Sequence, residues 1–299
     1  MSDDELYLFN RPAFLALQDL PGRHTLALHH PRTGQREAVW HLYEHAGVAW
    51  SPRRATFGGP QFAADLPPER LDELLAQADV PARERGWRAI EIKAPPHCFE
   101  PRQQSLLATL LHAHGYRQTQ ADLTYYLPLR GDVPFENRLH DTARKRRRRA
   151  AEMPFVVTEE PTADLAEVHA MIAATRHRKG YPVTMTAEQL TRAVRTLPEH
   201  YRVWTARREG ALVAVACVVV VRHDLLYTLY VGDEDAHRRW SPVTLLYEAL
   251  YDWGRAGGYR FLDFGIGTDA SVPNWGLMQF KRSLGGVPAL KSTYRKEYR

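Results

Sequence analysis

Residues 212–221 read LVAVACVVVV, and this unbroken apolar run is the strongest indication of the fold class. A strand with one exposed face alternates apolar and polar residues, so a continuous apolar run is typical of a central strand that is buried on both faces. Strand-like segments flank it at Tyr201–Arg207 and Leu225–Val231. The short connections Glu209-Gly210 and His223-Asp224 predict that the three strands are joined as antiparallel hairpins.

Helical patterns surround these three strands. Ser241-Pro242 places a capping serine and a first-position proline before apolar residues at helical spacing, and Gly257-Gly258 ends that helix. The other elements predicted in the second half are helices at Leu165–Arg176, Ala187–Leu197 and Asn274–Ser283 and strands at Arg260–Phe264 and Pro288–Tyr298. The predicted order is helix, helix, three antiparallel strands, helix, strand, helix, strand.

The first half alternates shorter strand and helix patterns. Strands are predicted at His24–His29, Glu37–Glu44, Ala89–Lys93 and Gln118–Leu127, and helices near residues 71–78 and 102–114. Such alternation is typical of an α/β layer rather than a helical bundle. A chain of 299 residues is long for one domain and suits two of about 150 residues. We therefore predict an N-terminal domain over 1–130 and a C-terminal domain over 131–299.

Residues 131–153 are predicted to form a basic helix that links the two domains. Its segment Arg144–Arg149 consists of six consecutive cations, which is most simply a solvated helix surface. One helical stripe, however, carries the apolar residues Phe135, Leu139, Ala143 and Ala150, and at 100° per residue it includes Arg146. Because a core-facing arginine needs an anionic partner, Arg144 and Arg146 are candidate ligands for a substrate or phosphate group.

Charge and composition narrow the classes of function. The formal net charge is +5 and the isoelectric point is 9.2, a mild basicity compatible with phosphate or nucleic-acid ligands. The longest apolar run is too short to cross a bilayer, and the acidic Met1–Glu5 does not begin a signal peptide. A cytoplasmic protein without a transmembrane segment is therefore expected. Neither the two cysteines, Cys98 and Cys217, nor the histidines show metal-ligand spacing, so no metal site is expected.

A series of motifs in the second half has a recognisable order and spacing. The series is Trp240-Ser241-Pro242, then GGYRFLDFG at 257–265, then GLMQFKRSLGG at 276–286, preceded by the basic segment Arg144–Ala150 and by His114-Gly115-Tyr116. It resembles the FemABX aminoacyltransferases and the related acetyltransferase-like proteins of the GNAT superfamily. The element order of the second half also matches the GNAT arrangement. The resemblance implies an α/β fold of two tandem GNAT-like domains, with mixed central sheets flanked by helices.

The resemblance also implies where the acyl donor lies. Its phosphates are expected at the N-terminus of the helix that follows two parting parallel strands, because free amides and the helix dipole favour an anion there. Acetyl-CoA enzymes have a glycine-rich loop at this point, whereas His237–Pro242 contains no glycine and Pro242 has no amide hydrogen. The donor-binding candidates are Arg238, Arg239, Trp240, Ser241 and Thr244, with Asn274 as a substrate-binding candidate. The donor is either an acyl-CoA such as acetyl-CoA or an aminoacyl-tRNA, and the missing glycines favour tRNA.

Three residues are candidates for the chemistry of acyl transfer. The resemblance places Lys281, from the Phe280-Lys281 pair, in the donor site, where an ammonium would stabilise a developing oxyanion. Its alternative role is that of a surface lysine on a short helix. Asp263 ends a strand beside the expected cleft and is either a general base or a cap for the turn through Gly265. Tyr230 is a candidate donor of the leaving-group proton.

The sequence thus predicts an acyltransferase that moves an acyl or aminoacyl group from an activated donor to an amine on a small molecule or peptide. The alternative is a non-catalytic nucleic-acid-binding protein on a degenerate GNAT scaffold, which would bind through the basic helix. Replacing Lys281 separates the two hypotheses, because only the enzyme depends on it.

Overall fold

The computed structural model describes residues 1–298, in which strands and helices alternate from the N-terminus to the C-terminus. The elements of the first half are, in chain order, α1 (Pro12–Gln18), β1 (Arg23–His29), β2 (Arg36–His45), β3 (Val48–Ser51), β4 (Gln61–Phe62), α2 (Pro68–Gln77), α3 (Asp79–Glu84), β5 (Ala89–Lys93), α4 (Pro101–Ala113) and β6 (Arg117–Pro128).

The second half contains more of the long elements. They are, in chain order, α5 (Phe135–Arg138), α6 (Asp141–Ala151), β7 (Val156–Glu159), α7 (Leu165–Arg178), α8 (Ala187–Thr196), β8 (Tyr201–Arg208), β9 (Ala211–Arg222), β10 (Leu225–Asp233), a 3₁₀ segment (Asp235–Trp240), α9 (Pro242–Ala256), β11 (Phe261–Ile266), β12 (Thr268–Asp269), β13 (Val272–Pro273), α10 (Trp275–Ser283) and β14 (Val287–Glu297).

Two compact units divide the chain at points that differ from the predicted boundary at residue 130. The first unit comprises Met1–Thr124, Thr268–Pro273 and the chain from Ala289 onward, and the second comprises Tyr125–Gly267 and Asn274–Pro288. The C-terminal strand joins the first unit because β14 pairs antiparallel with β5, from Thr293 opposite Lys93 to Glu297 opposite Ala89. Such pairing between distant segments leaves no local signal in the sequence.

The first unit packs its strands on a single apolar core. The strands follow the order β1-β2-β3-β5-β14, and β4 pairs with β2. Residues of α2 and α4 cover them, and the largest fully buried side chain of this core is Trp40. The unit is therefore an α/β layer, as the alternating patterns predict.

The second unit contains the central strand that the apolar run predicts. Its strands follow the order β11-β10-β9-β8-β7, with β10 and β11 parallel and the remaining neighbours antiparallel. All residues of Leu212–Val219 in β9 are buried, and both α7 and α9 pack against this strand. The predicted fold class, mixed α/β with strands flanked by helices, is confirmed. No helix within residues 1–298 is long and apolar enough to cross a membrane.

The predicted basic helix over 131–153 is wrong as a single element. The backbone is extended at Leu139 and His140, so the short α5 ends there and α6 begins anew at Asp141. Within α6, Ala143 and Ala150 are buried and Arg147 is half-buried. Arg147 donates to both carboxylate oxygens of Glu248 on α9, at 2.8–3.2 Å. Arg146 is exposed, so its predicted place on the core-facing stripe is also wrong.

Candidate active site

A cleft opens in the second unit where β10 and β11 part. Their parallel pairing runs only from Leu225 opposite Phe261 to Tyr227 opposite Asp263, although β10 continues to Asp233 and β11 to Ile266. We name the space between residues 228–233 and 264–266 the β10/β11 cleft. Parted parallel strands leave backbone groups and side chains accessible to a ligand between them.

A bulge in β10 decides which side chains line one side of this cleft. Thr228 lies opposite Val218 and Tyr230 opposite Cys217, so Leu229 is an extra residue. Tyr227 and Tyr230 therefore fall on the same face of β10, as residues two apart do in a regular strand. This face points toward α7, since a Cβ added at Gly232 would lie 3.2–3.3 Å from atoms of Met171 and Ile172.

The ammonium group of Lys281 lies at the end of β11. The residue projects from α10, is 5% exposed, and its Nζ donates to the carbonyl oxygens of Gly265 at 2.7 Å and Ile266 at 2.6 Å. Gly265 adopts a φ of +74°, a conformation that glycine reaches without a steric penalty. A buried cation is costly unless polar groups surround it, so two aligned carbonyls identify a site built to hold this charge.

Asp263 holds the turn that presents these carbonyls. Its carboxylate is 1% exposed, and Oδ1 accepts the amide hydrogen of Gly265 at 2.8 Å. This contact matches the capping alternative of the sequence analysis.

Tyr227 is a residue of the site that the sequence analysis missed. Its hydroxyl lies 3.5 Å, and the Lys281 Nζ 3.9 Å, from the point where a Cβ on Gly265 would sit. The phenol and the ammonium therefore border the same small space above Gly265. The signal in the sequence was two tyrosines on an otherwise apolar strand, but choosing between them requires knowledge of the bulge.

The predicted residues Tyr230 and Asn274 belong to a polar cluster beside the cleft. The Tyr230 hydroxyl is hydrogen-bonded to the Thr184 hydroxyl, and the Asn274 side-chain amide donates to the Tyr181 hydroxyl. Asn274 also caps α10, because its Oδ1 accepts the amide hydrogen of Leu277 at 3.0 Å. The cluster thus fixes the start of the helix that carries Lys281.

The predicted donor-phosphate site at the start of α9 has few amides to offer. Pro242 has no amide hydrogen, and the Thr244 amide donates to the Ser241 carbonyl at 3.0 Å. Ser241 itself is left-handed, with a φ of +57°, and its side chain makes no cap. The 3₁₀ segment occupies the position of a phosphate-binding loop. This helix start therefore offers fewer free backbone amides to an anion than a helix start without proline.

The other donor-binding candidates lie together in and after the 3₁₀ segment. Arg238 forms ion pairs with Asp235 at 3.2 Å and Asp233 at 3.6 Å, and the Arg239 guanidinium lies 3.9 Å from the centre of the Trp240 ring. Thr244 is buried within the first turn of α9.

Residues 137–282 match the family model for the acetyltransferase (GNAT) domain. This segment is a GNAT domain. The predicted resemblance to the GNAT superfamily is thereby confirmed for this segment, which contains α6, the β10/β11 cleft and Lys281.

Known structures extend the likeness of the GNAT domain to the whole chain. FemX superimposes with a TM-score of 0.77 at 15% identity, over 97% of this chain and 92% of FemX. L-PGS from Bacillus licheniformis gives a TM-score of 0.59 at 15% identity, over 93% of this chain and 85% of its own. A tandem GNAT protein from the clavulanic acid biosynthesis pathway gives a TM-score of 0.55 at 15% identity, over 93% of this chain and 84% of its own. At these identities the likeness shows a common fold. No curated protein sequence matches significantly.

One arginine of the GNAT domain offers a charge to a ligand. The Arg176 guanidinium lies 5.7 Å from the Tyr181 ring centre and 5.5 Å from that of Tyr230, and its Nε donates to the Pro182 carbonyl. Among residues 1–298 it has no carboxylate partner. A guanidinium held between two rings, with its remaining hydrogens unpaired, is suited to bind a carboxylate or a phosphate. The sequence analysis missed Arg176 because only the fold brings it beside Tyr230.

The two remaining phosphate-binding candidates of the GNAT domain lie on α6. Arg144 donates to the Asp141 carboxylate and to the Leu139 carbonyl, both at 2.9 Å, so it stabilises the start of α6. Arg146 is exposed on the same helix.

Proposed function

We propose that the chain is an N-acyltransferase in which Lys281 stabilises the oxyanion of the tetrahedral intermediate. The observation that carries the proposal is the buried Lys281 ammonium, held by two carbonyls where β10 and β11 part. In the reaction an amine nitrogen bonds to the acyl carbon and the carbonyl oxygen becomes negative. The bond to the leaving oxygen or sulfur then breaks, the attacking nitrogen loses one proton to become the amide nitrogen, and the leaving group takes up one proton. A fixed positive charge is most effective where the negative charge develops only in the transition state.

The neighbouring groups have supporting roles in this proposal. Asp263 is a positioning residue, because its carboxylate holds the Gly265 turn that presents the carbonyls to Lys281. Tyr227, whose hydroxyl borders the same space as the ammonium, supplies the proton to the leaving group. Tyr230 orients Thr184 and supports Arg176, and this role replaces the proton donation predicted for it.

An aminoacyl-tRNA is the donor that this site favours. Coenzyme A would need amide donors at the start of α9, where Pro242 has none and the Thr244 amide is already bonded. An ester-linked aminoacyl group needs only its carbonyl at Lys281, since the phosphates of an RNA can be held by side chains elsewhere.

The acceptor in this proposal is an amine that also carries an anionic group. Arg176 supports this assignment, because its guanidinium lies between two tyrosine rings with no carboxylate partner among residues 1–298. An anion bound at Arg176 would fix the acceptor while its amine reaches the acyl carbon.

Replacing Arg176 by glutamine tests this acceptor site. We expect KM for the acceptor to rise roughly tenfold or more with little change in kcat, since a hydrogen bond to a charged group contributes about 1.5–3 kcal/mol. Steady-state kinetics with an acceptor and its neutral amide measure the effect. The control Arg192→Gln, on the exposed side of α8, should leave KM unchanged. An equal rise for the neutral amide would exclude anion recognition by Arg176.

The donor is tested by supplying two donors to the purified chain. We expect transfer of a radiolabelled amino acid from a charged tRNA mixture to amine acceptors, and no transfer from labelled acetyl-CoA. Transfer from acetyl-CoA alone would assign the chain to the acetyltransferases and overturn the tRNA donor. Transfer from neither donor, with RNA binding intact, would support the non-catalytic nucleic-acid-binding alternative.

A further inference from the structure

Three cations on α6 have no anionic partner among residues 1–298. Lys145 and Arg146 form no ion pair, and Arg149 donates only to a backbone carbonyl. At 100° per residue the three side chains lie within about 100° of arc, on one flank of the face that contains Ala143 and Ala150. Their neighbour Arg148 is paired with Glu136 at 3.5 Å.

A fourth cation continues this surface beyond the helix. The Arg149 guanidinium donates to the Arg239 carbonyl at 3.1 Å, so α6 contacts the 3₁₀ segment directly. The Arg239 guanidinium stacks at 3.9 Å on the Trp240 ring, and Arg208 lies 5.9 Å from the centre of the same ring. We name the surface formed by Lys145, Arg146, Arg149 and Arg239 the basic face.

We propose that the basic face binds the phosphate backbone of a folded RNA. The proposal rests on the proposed function, because the RNA is the body of the aminoacyl-tRNA donor whose acyl group reaches Lys281. Unpaired, exposed cations release counterions when they neutralise phosphates, which gives affinity without sequence recognition. Arg239 stacked on Trp240 adds a planar group of the kind on which an unpaired base stacks.

The composition of α6 favours RNA over an anionic membrane. A helix that binds a bilayer surface buries large apolar side chains between the headgroups. No large apolar side chain is exposed between Asp141 and Ala151. The basic face presents only cationic side chains, which suits the phosphate backbone of a folded RNA.

The test compares two double variants that each remove two exposed positive charges from a helix of the GNAT domain. Arg146→Gln/Arg149→Gln alters the basic face, and Arg192→Gln/Arg195→Gln alters the exposed side of α8. Binding of a fluorescently labelled RNA hairpin that carries no aminoacyl group is measured by fluorescence anisotropy at 50 and 200 mM salt. We expect the first variant to lose roughly tenfold in affinity at low salt, and its salt slope to fall by about 1.8 because each phosphate contact contributes about 0.9.

The α8 variant should bind the hairpin like the unmodified chain. Equal losses in the two variants, or no hairpin binding by the unmodified chain, would overturn the proposal, as would binding to phosphatidylglycerol vesicles in place of RNA. Lys281→Ala separates this proposal from the catalytic one, since it should lower kcat for transfer by about 10²–10³ and leave hairpin affinity unchanged. Transfer that survives in Lys281→Ala, with hairpin binding still lost in Arg146→Gln/Arg149→Gln, would refute the catalytic role alone.

Discussion

Replacing Lys281 by alanine is expected to lower kcat for acyl transfer by about 10²–10³, the loss typical of one removed oxyanion donor. The Lys281 Nζ is held by the carbonyls of Gly265 and Ile266, so no neighbouring cation can take its place without a rearrangement of the turn. Single-turnover kinetics with saturating donor measure the chemical step directly. KM for the donor should change much less than kcat, because the charge acts mainly in the transition state.

Arg282→Ala is the matched control for this experiment. Arg282 follows Lys281 on α10 but is exposed, so its loss should leave kcat unchanged. Thermal unfolding of both variants checks that the fold persists, since Lys281 is buried. A folded Lys281→Ala protein with the kcat of the unmodified chain would eliminate Lys281 as the stabilising group and, with it, the proposed mechanism.

Replacing Asp224 by alanine is expected to have the second large effect, on stability. Arg222 and Asp224 are buried together at the turn between β9 and β10, with Nε 2.7 Å and Nη2 3.2 Å from the carboxylate oxygens. Removing the carboxylate deprives the buried Arg222 cation of these two hydrogen bonds and of the opposite charge. This loss should lower the free energy of unfolding by about 3–5 kcal/mol. Urea unfolding followed by circular dichroism measures the loss.

The control for Asp224 is an exposed pair in the same unit. Asp132 lies 2.7 Å from Arg255 but is fully exposed, so Asp132→Ala should leave the free energy of unfolding nearly unchanged. A similar loss in the two variants would show that burial does not set the cost of breaking these pairs.

The Arg222–Asp224 pair also predicts a pH dependence. Burial alone would raise the pKa of Asp224, but the hydrogen bonds and charge of Arg222, with Arg260 nearby, hold it below its ordinary value. Because the pKa of Asp224 is lower in the folded state than in the unfolded state, the ionised carboxylate stabilises the fold at pH values above the unfolded pKa of about 3.9. This stabilisation is lost as the pH falls through the folded pKa. Between pH 5 and pH 2 the unmodified chain should therefore lose more stability than Asp224→Ala. If the free energies of unfolding of the two proteins fell in parallel between pH 5 and pH 2, the predicted contribution of Asp224 would be contradicted.

The sequence by itself determined the class of fold and the order of the elements in the second half. The apolar run at 212–221 requires burial on both faces, and Ser241-Pro242 together with Gly257-Gly258 brackets α9. These are local effects of burial and backbone conformation, so a single chain segment specifies each of them. The motif around Phe280-Lys281 likewise indicates the GNAT superfamily from the sequence alone.

Only the tertiary structure decided which groups meet at the site. The bulge at Leu229 places Tyr227 on the same face of β10 as Tyr230. The packing of α10 brings the Lys281 ammonium to the carbonyls at the end of β11. The packing of α6 against α9 pairs Arg147 with Glu248 and leaves Arg146 exposed. Each of these outcomes depends on contacts between distant segments, whose free energies are set by register and packing rather than by the periodicity of any one segment.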